Sequence, residues 1–171
     1  MACYTSLPWF DFRSVVRDLP RCDAWRLLER PRLSVTEETT KLELPSRIEA
    51  VAQAADAAAS VAGRLGLDDE AAFGVDMAVR EAVTNAVLHG NHLDEAKTVL
   101  VTLRTTPSAL VVTVRDRGEG FDPESVPDPT AEQNLLKANG RGILFMRSFM
   151  DGVEWTRHPE GGTVVRMTKK L

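Results

Sequence analysis

The run Glu81-Ala-Val-Thr-Asn85-Ala-Val-Leu-His89-Gly90-Asn91 sets a carboxylate and a carboxamide one helical turn apart. Further along stand Asp116-Arg-Gly118-Glu-Gly120-Phe121 and Gly140-Arg141-Gly142-Ile143. A carboxylate can orient or deprotonate a hydroxyl as a general base. An amide oxygen is a hard ligand of the kind magnesium takes when phosphates complete its shell. Glycine-rich turns let backbone amides come close to a ligand. Glu-x-x-x-Asn and Gly-x-Gly are each common alone. All three in this order, each on a suitable element, can hold a purine, a magnesium ion and a triphosphate.

The elements that must carry them are legible. Val75, Val79, Ala82, Val83, Ala86 and Val87 recur at the spacing of an amphipathic helix. Glu81 and Asn85 share a stripe beside that face, where the plainer alternative is a solvated pair. Gly90 falls where a C′ glycine would end the helix. Leu110, Val112 and Val114 alternate with Val111, Thr113 and Arg115, the period of a strand. Asp116 keeps the parity of the apolar set, so it is predicted to point toward the core. A buried carboxylate needs donors. Two readings stand: an adenine amine donates to it, or it caps its own backbone in an Asx turn before Gly118.

Gly140-Arg141-Gly142 opens a helix-like run, Ile143 to Phe149. Free amides at such a start form an anion site, with Lys137 or Arg141 adding charge. The alternative is an ordinary junction between loop and helix. Phe121 to Asn139, rich in acids and holding Pro123, Pro127 and Pro129, spans about 20 residues, longer than most connections. It reads as a lid, with room for a short helix at Thr130–Lys137. His89 reads as a packing or capping histidine at a helix end.

The rest of the chain is regular from Thr39 onward. Lys41–Leu44 reads as a strand, Ser46-Arg-Ile-Glu49 as a capping box, and an Ala/Val-rich helix runs from about Arg47 to Arg64. Strands are predicted near Lys97–Arg104 and Ala109–Asp116, joined at Pro107-Ser108. A last hairpin pairs Gly152–Arg157 with Thr163–Thr168 through Pro159-Glu-Gly-Gly162. These elements predict an α+β fold: a two-layer α/β sandwich with a mostly antiparallel sheet and helices on one face.

With 171 residues and 43% hydrophobic content the chain can form one domain with its own core. A net charge of −4 argues against a nucleic-acid binder working through an overall basic surface. No run of 18 apolar residues predicts a membrane span. Asp11 and Arg13 beside Trp9 and Phe10 break any signal-peptide core. Cys3 and Cys22 lack metal-site spacing, and a reducing cytoplasm is the expected compartment. All 11 glycines lie at or after Gly63. The expected division is therefore a leader at residues 1–36, apolar through Trp9, Phe10, Phe12, Trp25, Leu27 and Leu28, and a functional domain at residues 37–171.

These motifs resemble those of the GHKL ATPase superfamily, which includes gyrase B, the histidine kinases and the MutL group. Glu81 and Asn85 look like its N box. Asp116-x-Gly118-x-Gly120 looks like its first glycine box and Gly140-x-Gly142 its second. Gly162-Thr163 looks like its terminal Gly-Thr element, in which the threonine supports the adenine-binding aspartate. Within the superfamily, Glu-Ala-x-x-Asn-Ala-x-x-His-Gly and Gly-Arg-Gly-Ile-x-x-Met-Arg-Ser-Phe-Met-Asp resemble the small bacterial anti-sigma-factor serine kinases. The resemblance covers about Glu37 to Leu171 and implies a Bergerat-type fold binding ATP and Mg2+. Glu81 would be catalytic and Asn85 the metal ligand. Asp116, Gly118, Gly120, Lys137, Gly140, Arg141, Gly142 and Thr163 would bind nucleotide. It also implies a homodimer that sequesters a sigma factor and phosphorylates a serine of an anti-anti-sigma (STAS-type) protein.

Three functions are compatible with these residues. The first is that serine kinase and anti-sigma factor. The second is an ATP-binding partner-switch module that transfers no phosphate. The third is the catalytic piece of a sensor histidine kinase, which needs a phosphoacceptor histidine on a dimerisation helix; His89, His92 and His158 are all placed wrongly for that.

Overall fold

The computed structural model describes residues 37–120 and 141–171. The expectations for the leader, for the lid and its short helix, and for Lys137 and Gly140 lie outside the described residues.

Among the described residues five strands form one sheet: β1 (Glu38–Pro45), β2 (Thr98–Thr106), β3 (Ala109–Arg115), β4 (Gly152–Arg157) and β5 (Thr163–Lys170). Their order is β1-β2-β3-β5-β4, and every neighbouring pair is antiparallel. Three helices, α1 (Glu49–Leu65), α2 (Asp69–Asn85) and α3 (Arg141–Phe149), pack on one face. Val99, Val101, Leu103, Leu110, Val112, Val114, Val165 and Met167 are buried beneath them. The alternate residues Arg104, Glu154 and Arg166 are exposed on the other face, as period-two strands require. The fold is the α/β sandwich expected from the pattern.

The helices owe their form to local signals and their placement to small residues. Ala50, Ala54, Ala55, Ala58 and Ala62 line the buried side of α1, combining the best helix former with room for α2 to lie close. Gly66 ends α1 in the left-handed region at φ 68°, where a side chain would be strained. Asp68 caps α2 by accepting the Ala71 N–H at 2.8 Å. Gly74 of α2 lets Phe149 of α3 approach, and Phe149 in turn meets the Phe73 ring edge-on at 5.9 Å. Gly142, at the other end of α3, lies against Glu81. The two helices therefore run antiparallel.

Two local expectations are corrected. The Ser46–Glu49 capping box does not form: α1 begins after Ile48 with no side-chain cap. Ser46 is instead fully buried at the end of β1, where its N–H donates to the Lys97 carbonyl at 3.2 Å. Packing between β1 and the start of β2 has overridden a local motif. Gly90 is not a left-handed cap either. The α-helix gives way at Asn85 to a π-helical turn, Ala86–Gly90, and the residues with positive φ are His92 and Leu93, both at 57°.

Candidate functional site

Asp116 is 5% exposed, as its parity with Leu110, Val112 and Val114 demands. It extends the β3–β5 ladder, donating its N–H to the Thr163 carbonyl at 3.1 Å. Its Oδ1 accepts two backbone amides, Gly118 N–H at 2.8 Å and Thr163 N–H at 3.0 Å. The first of these is the expected Asx turn. The turn uses one oxygen only. Oδ2 accepts no hydrogen bond among the described residues, so the same carboxylate keeps a second acceptor for a ligand donor. The two readings are compatible.

Glycines crowd this carboxylate for steric reasons. A methyl group at position 90 would overlap the Asp116 carboxyl carbon and lie 2.7 Å from Oδ2. A Cβ at Gly118 would strike the Gly90 carbonyl, and one at Gly162 the Asp116 carbonyl. Gly90, Gly118 and Gly162 thus bring the end of the Glu81 helix, the turn after β3 and the turn before β5 into backbone contact around one acidic group. The Gly161–Gly162 turn is also held from outside. Arg115 reaches Glu160 at 3.1 Å, and that guanidinium keeps the Glu160 carboxyl below the usual carboxylate range. Gly120 has φ 95°, and the neighbouring Glu119 carbonyl accepts a hydrogen bond from the Arg157 guanidinium.

Thr163 is 3% exposed. Its backbone N–H supports Asp116, while its hydroxyl has no hydrogen-bond partner among the described residues. An unpartnered buried hydroxyl is costly unless something fills the role. Thr163 and Asp116, joined by the two hydrogen bonds of their N–H groups, thus each carry an unused side-chain polar atom. An adenine offers both a donor amine and ring acceptors, so the donor set fits such a base.

Glu81 and Asn85 are half-buried on α2. Asn85 donates Nδ2 to Glu81 Oε1 at 3.1 Å. A carboxylate only accepts, so the NH₂ end of the amide must face it. Asn85 Oδ1 is thereby turned away, and it accepts no hydrogen bond among the described residues. A free, oriented amide oxygen fits a magnesium ligand. At 1.5 Å rise per residue Glu81 lies about 6 Å along α2 from Asn85, and the five-residue π turn adds further length before Gly90 and the Asp116 end. An elongated ligand with a base at one end and phosphates at the other suits that separation.

The structure brings together Glu81, Asn85 and Gly142 at one end, and Asp116, Gly118 and Thr163 at the other. A Cβ at position 142 would overlap the Glu81 carboxylate. Arg141 is the first residue of α3. Asn91 went unassigned in the sequence, although it is fully buried and bonded to the Asp116 turn. Its only signal was its place directly after Gly90.

The described residues contain no cluster of three metal-ligating side chains of the His, Cys, Asp or Glu type, and no helix long and apolar enough to cross a membrane. A magnesium site of one amide plus phosphates would not register as such a cluster.

An antiparallel sandwich with a buried Asp116 acceptor and a Glu–Asn helix defines a class of ATP-binding domain. The chain belongs to the histidine kinase-like ATPase domain family, whose model matches residues 44–169. It is similar to the anti-sigma F factor of Clostridium perfringens, 34% identical over 99 residues that cover 57% of this chain and 71% of that protein. It is also similar to the anti-sigma F factor of Bacillus subtilis, 36% identical over 95 residues covering 54% of this chain and 65% of that one. Among solved structures, it resembles the RsbU and RsbW domains of a Mycobacterium tuberculosis protein. That match has a TM-score of 0.58 and 19% identity over 78% of this chain and 32% of that one, a likeness of fold.

Proposed function

We propose that this chain is an ATP- and Mg2+-dependent serine protein kinase and anti-sigma factor. It phosphorylates an anti-anti-sigma protein of the STAS type and sequesters a sigma factor, acting in the cytoplasm as a homodimer in a partner switch. The ATP-binding unit spans residues 37–171, with the leader outside it. The observation that carries the nucleotide reading is the Asp116 carboxylate, with one oxygen committed to two backbone amides and the other open. The names of the similar anti-sigma F factors support the partner-switch assignment.

The roles follow from chemistry. Asp116 Oδ2 accepts a hydrogen bond from the adenine amine, and the Thr163 hydroxyl bonds the same base. Asn85 Oδ1 would hold the metal. Gly118, Gly120 and the Gly140–Gly142 turn allow backbone amides to approach phosphate, with Lys137 and Arg141 supplying positive charge. Magnesium, when bound, offsets phosphate charge and fixes the triphosphate. Glu81 accepts the proton of an incoming serine hydroxyl as that oxygen bonds to the γ-phosphorus, while the bond from that phosphorus to the bridging oxygen breaks and ADP leaves with the bond's electrons.

Asn85→Ala removes the metal ligand while sparing Asp116. The Mg2+-dependent gain in ATP affinity is expected to fall at least roughly tenfold, the low end of losses for changes around metal ligands. Titrating ATP with and without Mg2+ reads this directly, and an unchanged gain would remove Asn85 from the metal site.

Incubating the purified chain with γ-labelled ATP, Mg2+ and candidate STAS-type proteins tests the activity. Label is expected on a substrate serine and is expected to vanish with a chelator. ATP binding with no transfer to any such protein would leave a nucleotide-gated switch module instead of a kinase.

A further inference from the structure

Asn91 uses both ends of its side-chain amide. It is fully buried. Its Oδ1 accepts the Arg117 N–H at 2.7 Å, and its Nδ2 donates to the Thr98 carbonyl at 3.2 Å. Its own N–H donates to the Ala86 carbonyl at 2.8 Å, closing the π turn. One side chain therefore ties the end of the Glu81 helix to the start of β2 and to the turn after β3. The π turn serves the same end. It adds a residue to the helix, and such insertions recur at functional sites. Here the added residue redirects the chain so that Gly90 meets Asp116 and Asn91 meets Arg117.

The Arg117 N–H lies in the peptide plane that joins Asp116 to Arg117. Asp116 closes its Asx turn across that plane, onto Gly118. Whatever fixes the plane also fixes the turn, and with it the direction of the open Oδ2. Thr163 secures Asp116 from the β5 side. Asn91 secures the turn from the helix side, where no other side chain in the described residues bonds to the Arg117 N–H.

We propose that Asn91 is a positioning residue for base recognition: through the Arg117 N–H it sets the Asp116–Gly118 turn, and so aims the open Asp116 oxygen at the amine of a 6-aminopurine. This rests on the reading of Asp116 as the adenine acceptor. The side chain is suited to the task because it must accept from one backbone group and donate to another without carrying charge into the core. Aspartate keeps the acceptor toward Arg117 but loses the donor toward Thr98. Alanine loses both.

The readout is base discrimination, which a purely structural role would not move. Inosine triphosphate carries an oxygen where ATP carries the amine, so an aimed Asp116 rejects it. The wild-type chain is expected to prefer ATP by about tenfold or more in calorimetric titration with Mg2+. In Asn91→Ala that preference is expected to fall at least about fivefold, toward equal affinities, with the far-ultraviolet circular dichroism unchanged. In Asn91→Asp the preference is expected to persist, since the acceptor remains. Asn91→Ala weakening both nucleotides equally, with the ratio kept, would overturn the proposal and leave Asn91 a structural residue. Should Asn91→Ala not fold, the near-isosteric Asn91→Leu, which also lacks the acceptor, carries the test, and a preference kept there would overturn the proposal. A wild-type chain that binds both nucleotides alike would instead sink the adenine reading of Asp116, and this proposal with it.

Discussion

Glu81→Gln is expected to slow phosphate transfer from ATP by about 10²–10⁴-fold, the usual worth of general-base help. The substitution is close to isosteric. The glutamine oxygen still accepts the Asn85 Nδ2 that Glu81 holds at 3.1 Å, so the Asn85 amide keeps its orientation. Gly142 still has room beside it, since the space that a Cβ would need is already filled by the carboxylate end of residue 81. What disappears is the ability to take a proton at neutral pH. ATP affinity is therefore expected to stay near wild type while the rate drops. Single-turnover transfer of labelled phosphate separates the two quantities. A wild-type rate in the variant would remove Glu81 as the base.

Gly162→Ala is expected to cost about 2–6 kcal/mol of stability and to abolish tight ATP binding where the chain still folds. Two terms add. Gly162 sits at φ 87°, a region L side chains rarely adopt, and such strain costs roughly 1–3 kcal/mol. Its new Cβ would also overlap the Asp116 backbone carbonyl, which cannot swing aside like a side chain. Overpacking of that kind typically costs about 1–3 kcal/mol more. Relief requires β5 to move away from β3, which breaks the Thr163 N–H bond to Asp116 Oδ1. Gly63→Ala is the control, because nothing lies within 4 Å of a Cβ there. Urea unfolding of both variants checks the difference. Equal midpoints would mean that Gly162 and Asp116 have room to separate without cost.

The contrast between these glycines shows what a sequence can and cannot reveal. The strands were legible because Val101 and Leu103 alternate with Thr102 and Arg104, and Val112 and Val114 with Thr113 and Arg115, as a sheet buried on one face requires. Asp116 followed from the same parity. Glu81 and Asn85 followed from helical spacing, a local property. The reason for Gly90 did not, because a glycine at a helix end looks like a C′ cap, and the true constraint is a carboxylate 26 positions away in the chain. Asn91 was invisible for the same reason: its partner is the Arg117 amide, across the fold. The Ser46 capping box misled in the opposite direction, since a local motif was overruled by the bond to Lys97. The Asx turn and the ligand acceptor look like rival fates for Asp116 in the sequence, but Oδ1 alone takes both backbone amides and leaves Oδ2 without a hydrogen bond among the described residues. Local periodicity survives in a sequence, and contacts made by backbone amides of distant residues do not.

Calorimetric titration of ATP with Mg2+ into the wild-type chain and into Asp116→Asn tests the central claim most directly. Asparagine keeps the shape and can keep Oδ1 on the Gly118 and Thr163 amides, but it turns an NH₂ donor toward the adenine amine in place of Oδ2. The loss of a charge-assisted hydrogen bond is expected to cost about 1.5–3 kcal/mol, a drop of roughly tenfold or more in ATP affinity. Equal affinity in the two proteins would contradict the account, because the open oxygen of Asp116 would then have no part in holding the nucleotide.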